Sequence, residues 1–561
     1  METFSSVLLR SFAEVPERAA LHMQLARQPD QPLTYRQLVS GAGAYAAALE
    51  RAGILPGEVV VLILQHGLDL VYAYWGTILR GAIPSIMPFL TEKLLPERYR
   101  ADLASLVAIT QPAAVITSPD FESEVRAALA PGVSVRSVLL TSQAVETPGL
   151  NLARLGGLER QPDDIVLLQH SSGTTGLQKG VALSHRAVFN QLKNYSRALN
   201  LKDDDVIVSW LPLYHDMGLI AGFLQPILLR VPLVLMSPFD WVRAPYRLMQ
   251  AVSRYRGTLS WLPNFAYNFC AQKIRDSHLA GVDLSSWRAV INCSEPCRWD
   301  SHQAFARRFA PFGFNSAALA TCYAMAENVF AVTQGGIGAP AAVDEIDREV
   351  FQHERRARPA DGSVATLKMV SSGRPLDNVE VKIVGDGGAE LPERHVGEVA
   401  LRSDCMLSGY YRRPDETARA FADGWYLTGD FGYLAGGELY VSGRKKDLII
   451  VGGKNIYPQD LELLAMQAPG VHPGRVVAFG VFNEEAGTED VIIAAEVETD
   501  DPAEREEIAE QVRAAVTRGS AVALRQVYLV GPQWLIKTSS GKTARLANRE
   551  KYLKEAGQGE E

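Results

Sequence analysis

The densest group of residues that could bind an anion lies at residues 171–180, which read Ser-Ser-Gly-Thr-Thr-Gly-Leu-Gln-Lys-Gly. Glycines let the backbone turn tightly and direct N–H groups at one anion, and hydroxyls and a lysine add side-chain donors. The order differs from a Walker A loop, which closes with Gly-Lys-Ser/Thr, because Lys179 precedes Gly180. The segment predicts a polyphosphate cradle after a strand at 165–169 and before a helix that starts near Ser184.

A second group, Trp-Leu-Pro-Leu-Tyr-His-Asp-Met-Gly at residues 210–218, follows another predicted strand. In α/β sheets, ligands bind beyond the carboxyl ends of the strands. His215 and Asp216 are adjacent and could act as an acid–base pair. A positioning or wall role is the more common use of such a histidine, so we expect His215 to line the site.

Tyr323 and Glu327 form a third group, four residues apart. An aromatic ring can stack on a nucleobase, and a carboxylate can hold a Mg²⁺ ion that is bound to phosphates. The alternative for Glu327 is a surface glutamate at the start of a helix.

Two later segments add further polar side chains. Residues 426–430, Tyr-Leu-Thr-Gly-Asp, end in Asp430, whose carboxylate could accept from ribose hydroxyls. A basic run, Gly-Arg-Lys-Lys-Asp, follows at residues 443–447. Near the C-terminus, residues 537–543 read Lys-Thr-Ser-Ser-Gly-Lys-Thr and place Lys542 on a loop, for which a solvated turn is the alternative.

Alternating buried strands and helices must position these groups. Short apolar runs predict strands at 59–64, 114–117, 165–169, 232–236 and 289–293. Helical spacing places on one face Leu38, Ala42, Tyr45 and Leu49, and on the face of another helix Met249, Val252, Ser253 and Arg256. This alternation predicts α/β layers with largely parallel sheets.

The pattern changes twice towards the C-terminus. Strands separated by glycine-rich turns are predicted at 379–384, 396–402 and 438–442. Beyond them an α+β pattern has strands at 448–451, 476–482, 491–497 and 527–530 and a helix at 503–517. The predicted organisation is an N-terminal domain at 1–443 (α/β subdomains to about 375, a β-rich module at about 376–443), a hinge at 444–447 and a C-terminal domain at 448–561.

Composition excludes several classes of protein. The chain has 561 residues, of which 47% are hydrophobic and 21% charged, as in ordinary folded proteins rather than disordered, coiled-coil or collagen-like chains. Lys plus Arg number 56 and Asp plus Glu 64, which gives a net charge of −8 and no global attraction to nucleic acid.

A cytoplasmic protein without a membrane span is expected. The most apolar long run, 219–235, is interrupted by Pro226, Arg230 and Pro232, and the first residues lack the apolar core of a signal peptide. The five cysteines form no Cys-x-x-Cys pair, which favours reduced thiols over a disulfide scaffold or a structural zinc site.

In this order, the five motifs resemble those of the adenylate-forming superfamily, which includes acyl-CoA synthetases, luciferases, adenylation domains of peptide synthetases and fatty acyl-AMP ligases. The resemblance extends over nearly the whole chain. It implies a large N-terminal domain of two α/β subdomains plus a β-rich module, followed by a small mobile α+β C-terminal domain.

Within this superfamily the chain looks most like the fatty acyl-AMP ligases. The segments that carry this likeness are residues 210–219, 263–267, 283–288 and 292–296. Ala326 stands before Glu327, where CoA-forming relatives usually carry Thr. The stretch between Asn328 and Ser372 is long, and its charged part, 344–361, resembles the insertion that marks acyl-AMP ligases.

Three positions depart from that pattern. The loop that ends in Lys179 looks more like that of the CoA synthetases. Cys293 stands where Gly is common, and Ile536 where Pro often precedes Lys537. These departures concern the final acyl acceptor and not the adenylation.

The resemblance implies a role for each candidate residue. Lys542 would hold the carboxylate and α-phosphate together, Glu327 would bind Mg²⁺ and His215 would act in the catalytic site. Lys446 matches the hinge position. The residues implied to bind ATP are Ser172, Gly173, Thr174, Thr175 and Lys179 at the phosphates, Tyr323 and Ser294, Glu295 and Pro296 at the adenine, and Asp430 and Arg444 at the ribose. The implied acyl pocket comprises Phe223, Trp261, Phe265, Phe269 and Met325, for which core packing is the alternative.

The implied reaction converts ATP and a carboxylic acid, fatty or otherwise apolar, into acyl-AMP and pyrophosphate. The acyl group then passes to the phosphopantetheine thiol of an acyl carrier protein. Acyl-CoA formation is the main alternative. An amino-acid-activating enzyme, in which Asp216 pairs with the substrate ammonium, is less favoured. A catalytically inactive nucleotide-binding protein is opposed by the presence of Lys542 and Glu327.

Overall fold

A computed structural model describes most of the chain. The described residues are 2–26, 28–90, 96–129, 134–145, 151–170, 179–362, 365–451, 454–484, 488–520, 522–538 and 542–557. Four predicted phosphate-loop residues, Ser172, Gly173, Thr174 and Thr175, lie outside them.

The described helices and strands follow one another along the whole chain. The α-helices are α1 Phe4–Glu14, α2 Tyr35–Arg51, α3 Leu68–Arg80, α4 Pro96–Thr110, α5 Glu122–Ala128, α6 His185–Ala198, α7 Gln225–Leu229, α8 Pro238–Arg243, α9 Tyr246–Tyr255, α10 Asn264–Lys273, α11 Trp299–Phe309, α12 Arg348–Glu354, α13 Pro414–Arg419, α14 Pro458–Ala465, α15 Pro502–Ser520 and α16 Arg545–Gly557. The strands are β1 Ala19–Gln24, β2 Gln31–Thr34, β3 Val59–Ile63, β4 Ile83–Ile86, β5 Ala114–Thr117, β6 Ser137–Leu140, β7 Ile165–His170, β8 Gly180–Ser184, β9 Ile207–Ser209, β10 Leu233–Met236, β11 Leu259–Leu262, β12 Ala289–Cys293, β13 Leu319–Cys322, β14 Thr333–Gln334, β15 Val343–Asp347, β16 Thr366–Val370, β17 Arg374–Pro375, β18 Val379–Val384, β19 Gly397–Ser403, β20 Gly409–Tyr410, β21 Phe421–Ala422, β22 Trp425–Ala435, β23 Glu438–Arg444, β24 Ile449–Val451, β25 Lys454–Ile456, β26 Val471–Asn483, β27 Thr488–Val497 and β28 Gln526–Val530.

Two mainly parallel sheets form the large N-terminal part, as the alternation of strands and helices predicts. One sheet has the order β13-β12-β11-β9-β10-β1-β2, in which only β2 is antiparallel to its neighbour. The other has the order β20-β8-β7-β4-β3-β5-β6, and its strands from β7 to β6 are parallel. The carboxyl ends of the first sheet therefore meet at one edge.

Helices α2 and α3 pack closely against each other. The predicted face of α2, which carries Leu38, Ala42, Tyr45 and Leu49, is buried. A Cβ atom on Gly76 of α3 would lie 2.5 Å from Tyr45 Cβ, so only glycine permits this approach of the two helices.

Two local predictions differ from the structure. The helix predicted near Ser184 is α6, capped by the Ser184 hydroxyl, but strand β8 lies between it and the candidate phosphate loop. The loop thus joins the antiparallel strands β7 and β8. Arg256 does not share the face of α9, because the helix ends at Tyr255 and Arg256 adopts φ +53°.

The C-terminal third contains an antiparallel module and a separate α+β unit. Strands β18, β19, β22 and β21 form the module sheet, and β23 pairs with β22. Strands β26, β27 and β28 form another sheet, whose apolar residues make a core of their own with those of α14 and α15. The domain limits at 443 and 448 stay predictions. Among the described residues, no helix is long and apolar enough to cross a membrane.

Asp205 ties together the amino-terminal ends of strands in the first sheet. Its side chain is 1% exposed and accepts from Arg288 Nη2 at 2.5 Å, from Thr258 Oγ1 at 2.7 Å and from the Lys202 N–H at 2.7 Å. Burial alone would raise the pKa of Asp205, but these hydrogen bonds and the guanidinium charge outweigh it and hold the pKa below its usual value.

We expect Asp205→Asn to lower the free energy of unfolding by about 2 kcal/mol at neutral pH, because the partly exposed Arg288 guanidinium loses its partner charge and the buried acceptor is weakened. A depressed pKa stabilises the fold above the unfolded-state value, and this contribution disappears as pH falls through the folded-state pKa. The difference between variant and wild type should therefore shrink in acid. Urea unfolding at several pH values measures it.

The control is Asp163→Asn, which removes a similar but exposed contact with Arg186. It should leave the unfolding midpoint nearly unchanged. Equal effects of the two substitutions would show that Asp205 does not hold the strand ends together.

Candidate active site

Three parallel strands deliver candidate residues to the same edge of the first sheet. Strand β9 ends just before the segment that carries His215, β12 ends just before Ser294, and β13 ends just before Tyr323. The neighbouring pair β12 and β13 is in register through Cys293 and Cys322. The structure thus brings together groups that are more than a hundred residues apart in sequence.

Lys542 reaches this edge from the C-terminal unit. Burial, together with the charge of Arg444, lowers the pKa of its ammonium, while Glu295 and Asp216 oppose that shift. The Lys542 N–H donates to Thr538 Oγ1 at 3.1 Å. The Lys542 ammonium, whose pKa is lowered, therefore lies near the carboxylates of Glu295 and Asp216 and the guanidinium of Arg444.

His215 and Asp216 are in contact with each other. His215 Nδ1 lies 2.6 Å from Asp216 Oδ1, and that oxygen also accepts from the Met217 N–H at 2.8 Å. Burial alone would raise the pKa of Asp216, but His215 and Lys542 lower it further than burial raises it. Asp216 is therefore a buried anion held by the His215 ring, the Met217 N–H and the nearby Lys542 ammonium.

A π-helix, Met217–Leu224, fixes the direction of this segment. A Cβ atom on Gly218 would lie 2.2 Å from the Pro212 carbonyl oxygen, so glycine is required for the chain to fold back here. Helices of this kind are rare and are often found at functional sites.

Glu327 is buried beside two tyrosines. Tyr410 Oη donates to Glu327 Oε1 at 2.9 Å and lies 2.9 Å from Tyr426 Oη. Burial raises the pKa of Glu327, and Asp216 adds to that shift, whereas Tyr410 opposes it. A bound cation would offset this cost, which makes the carboxylate a suitable ligand.

Asp430 connects the β-rich module with the sheet edge. Tyr323 Oη donates to Asp430 Oδ2 at 2.6 Å, and Arg444 Nε lies 3.5 Å from Asp430 Oδ1. Asp430 and Arg444 are register partners on β22 and β23. The predicted ribose-binding pair is thus formed by two adjacent strands, and the Tyr323 hydroxyl is anchored to it.

The segment Ser294, Glu295 and Pro296 turns sharply after β12. Ser294 has φ +71°, and Glu295 Oε2 accepts from the Phe265 N–H at 2.9 Å. The Glu295 side chain therefore binds the backbone at the start of α10. Contact of residues 294–296 with adenine stays a prediction.

The predicted acyl-pocket residues occupy different environments. Phe223 is fully buried against Tyr74 and Trp75, with ring centroids 5.7 Å and 6.2 Å away. Trp261 is buried and its Nε1 donates to Tyr195 Oη at 2.7 Å. These contacts favour a core-packing role for both rings.

Phe265, Phe269 and Met325 are not fully buried. Phe265 is 44% exposed, Phe269 packs on Trp241 with centroids 5.4 Å apart, and the Met325 side chain is half-buried. Trp210 stacks on Trp241 with ring centroids 3.6 Å apart, a contact that was not predicted from the sequence. Tryptophans near the ends of β9 and β10 were the available signal.

The predicted hinge is a short 3-10 turn, Lys445–Asp447. Lys446 lies at the surface. Partial desolvation of its ammonium and the charge of Arg444 lower its pKa. On one side Lys445 Nζ lies 2.9 Å from Glu398, and on the other Asp447 lies 2.9 Å from Arg545 Nη1. The turn is thus linked by charge to the module and to the C-terminal unit.

Side chains also join the C-terminal unit directly to the sheet edge. Arg298 Nη2 lies 2.8 Å from Asp460 Oδ1 on α14. The Arg298 N–H donates to Asn264 Oδ1, which also accepts from Asn292 on β12. The orientation of the C-terminal unit is therefore coupled to a buried polar network beside Ser294.

The charged segment 344–361 makes another contact with that unit. It contributes most of β15 and all of α12. Arg348 Nη1 donates to the Gly519 carbonyl at 2.5 Å, Arg355 Nη2 donates to Asn455 Oδ1 at 3.1 Å, and the Phe351 and Tyr457 ring centroids are 5.6 Å apart.

The described residues contain no group of three or more His, Cys, Asp or Glu side chains suited to a metal ion. Mg²⁺ characteristically needs only one or two carboxylates when phosphates supply further oxygens. Buried Glu327 fits that pattern as a single protein ligand.

Comparisons with known proteins agree with this geometry. The model of the family described as AMP-binding enzyme matches residues 8–411. A medium-chain-fatty-acid–[acyl-carrier-protein] ligase of Moorena producens is 31% identical, over 97% of this chain and 94% of its own. A Caulobacter vibrioides protein named as an acyl-CoA synthetase is 32% identical, over 93% and 91%. A solved structure from work on fatty acyl-adenylate ligases of E. coli and L. pneumophila has a TM-score of 0.90 at 29% identity and covers 100% of this chain and 98% of that one.

Loss of the contact between Arg298 and Asp460 should loosen the C-terminal unit. We expect Arg298→Ala and Asp460→Ala each to raise the rate of tryptic cleavage within 444–447 about two- to fivefold, the range for one partly exposed ion pair. The double variant should cleave no faster than the single ones. Arg402→Ala, which removes an exposed pair inside the β-rich module, is the control. Additive effects would contradict a direct coupling.

Proposed function

The chain belongs to the AMP-binding enzyme family, and from that premise we propose that it activates a carboxylic acid with ATP to give acyl-AMP and pyrophosphate. The observation that carries the proposal is the position of Lys542. A lysine from the C-terminal unit stands at the strand ends beside Asp216 and Glu295, where charge is concentrated.

The chemistry explains why such a lysine is needed. A carboxylate oxygen attacks the α-phosphorus, the bond to the bridging oxygen breaks, and pyrophosphate leaves. Because both reactants are anions, the site must neutralise charge more than it must supply a base. Lys542 would hold the carboxylate against the α-phosphate, and Arg444 adds a second positive charge nearby.

The nucleotide would lie between the sheet edge and the β-rich module. Asp430 would accept from the ribose hydroxyls, and its contacts with Arg444 and Tyr323 hold it in place. Glu327 would hold Mg²⁺, which when bound neutralises the phosphates. Lys179 and the adjacent loop residues would bind the β- and γ-phosphates.

A fatty or otherwise apolar acid is the proposed substrate class. Beside the site, Trp210 stacks on Trp241, and Phe265 and Phe269 pack around this pair. The Phe265 ring, which is 44% exposed, extends this buried stack to the surface, and an apolar surface at this place favours an apolar chain. The medium-chain-fatty-acid ligase among the relatives supports the same class.

The proposed acceptor is the phosphopantetheine thiol of an acyl carrier protein. Thioester formation needs the C-terminal unit to turn about the hinge at Lys446, whereas Arg348 and Arg355 of the charged segment bind that unit in the present arrangement. A bias of about 1.4 kcal/mol lowers the competent population nearly tenfold. The carrier-protein ligase among the relatives supports this acceptor, while the relative named as an acyl-CoA synthetase keeps acyl-CoA formation as the second candidate.

Lys542→Ala should abolish adenylation while leaving ATP binding nearly intact. Loss of one charge-stabilising donor costs about 3–4 kcal/mol, or on the order of 10²–10³ in rate. Exchange of labelled pyrophosphate into ATP with a panel of fatty, aryl and amino acids measures the first effect, and equilibrium ATP binding the second. Exposed Lys554→Ala is the control. No exchange by the wild type with any acid would refute the proposed function.

The acceptor is tested by releasing the charged segment from the C-terminal unit. Arg348→Ala with Arg355→Ala should raise thioester yield from pre-formed acyl-AMP and CoA about two- to tenfold, because the reorienting population grows. Arg358→Ala, which removes a pair within the segment, should not. The wild type should use a holo carrier protein well and CoA poorly, and efficient acyl-CoA formation by the wild type would favour the alternative.

A further inference from the structure

A charged cavity lies between the end of the phosphate loop and the β-rich module. Its volume is about 730 Å³. Four cations and two carboxylates contribute to its lining: Lys179, Arg413, Arg419, Lys445, Glu398 and Glu416. Tyr410 and Tyr426, which contact each other beside Glu327, also line it, so the cavity extends outwards from the proposed metal ligand.

Within this cavity Glu416 holds two cations. Glu416 Oε2 lies 2.7 Å from Lys179 Nζ, and Glu416 Oε1 lies 2.6 Å from Arg413 Nη1. The Glu416 side chain is 20% exposed. Its hydrogen bond with Lys179 is the main cause of its lowered pKa, so the carboxylate stays ionised at neutral pH.

The neighbours of Lys179 connect this pair to the proposed phosphate site. Lys179 Nζ lies 4.6 Å from the centre of the Tyr410 ring, and the Tyr410 hydroxyl donates to Glu327. The Tyr410 N–H donates to Thr417 Oγ1 of α13, the helix that also carries Glu416. Strand β20, which contains Tyr410, pairs with β8 directly after Lys179. Glu416 is thus fixed to the same short assembly as the lysine that it holds.

We propose that Glu416 is a positioning residue that competes with pyrophosphate for Lys179 and so promotes release of pyrophosphate into this cavity. The proposal rests on the proposed function. A carboxylate and a phosphate are both oxyanions, and one ammonium with three donors cannot satisfy both fully. After the α–β bond breaks, Glu416 takes back Lys179, and Arg413, Arg419 and Lys445 keep the outward route positive.

Competition predicts a direction that a merely structural residue would not give. Glu416→Gln should bind magnesium pyrophosphate about two- to fivefold more tightly than the wild type, since loss of one partly exposed ion pair changes an equilibrium by up to about fivefold. Steady-state turnover should fall because product leaves slowly, and the KM for the acid should stay unchanged. Glu416→Asp, which keeps the charge, should restore most of the wild-type affinity.

The experiment is calorimetric titration of the full chain with magnesium pyrophosphate, beside pyrophosphate inhibition of acyl-AMP formation. Glu380→Gln is the matched control, because it removes an exposed carboxylate from a pair with Arg402 in the same module. Equal or weaker pyrophosphate binding by Glu416→Gln would overturn the proposal. The same gain in pyrophosphate affinity in a Lys179→Ala background would also overturn it. Glu416 would then act through the repulsion between its negative charge and pyrophosphate, and not through Lys179.

Binding is measured without turnover, so the two proposals fail separately. A wild type that exchanges no pyrophosphate into ATP refutes the proposed function, whatever the titration gives. If Glu416→Gln does not fold, the comparison of Glu416→Asp with wild type decides. Because the aspartate side chain is shorter and lies farther from Lys179, Glu416→Asp should bind pyrophosphate slightly more tightly than the wild type. Weaker binding would overturn the proposal.

Discussion

The need to hold opposite charges together in a partly buried place governs the arrangement of this protein. At the edge of the first sheet, Lys542 and Arg444 lie near Asp216, Glu295 and Asp430. Burial lowers the pKa of Lys542 and by itself would raise the pKa of Asp216, so it opposes the charged form of both groups. Removing such groups from water is costly unless each finds a partner of opposite charge. Because those partners come from the sheet, the module and the C-terminal unit, the site is complete only when all three meet.

Parallel strands and antiparallel strands contribute to this site in different ways. Parallel strands bring His215, Ser294 and Tyr323 to one edge, since their carboxyl ends point the same way. The antiparallel pair β22 and β23 sets Asp430 opposite Arg444, which fixes a carboxylate and a guanidinium by backbone register. The position of the pair that we propose to bind ribose therefore depends on sheet geometry and not on flexible side chains alone.

Sequence reasoning predicted local features well and long-range pairing poorly. Strands at 114–117, 289–293 and 379–384 were predicted with the bounds that the structure gives, because apolar runs and turn residues are local signals. The contact between Lys179 and Glu416 joins residues more than 200 positions apart in the sequence, and no local pattern encodes it. For Phe223 and Trp261 the sequence left both an acyl pocket and core packing open, since an aromatic residue in a core and one in a pocket look alike in sequence.

The charged segment shows how one contact surface can influence both proposed half-reactions. Ile346 and Phe351 lie in an apolar cluster with Tyr433 and Tyr440, so the segment is anchored in the module, while Arg348 and Arg355 reach the C-terminal unit. An anchored segment cannot follow that unit when it turns. In the proposed turn about Lys446, the contacts between them, which stabilise the arrangement with Lys542 at the sheet edge, would have to break before a thiol acceptor could be presented. The same hydrogen bonds would favour adenylation and slow transfer, which makes the strength of this surface a determinant of which thiol can be used.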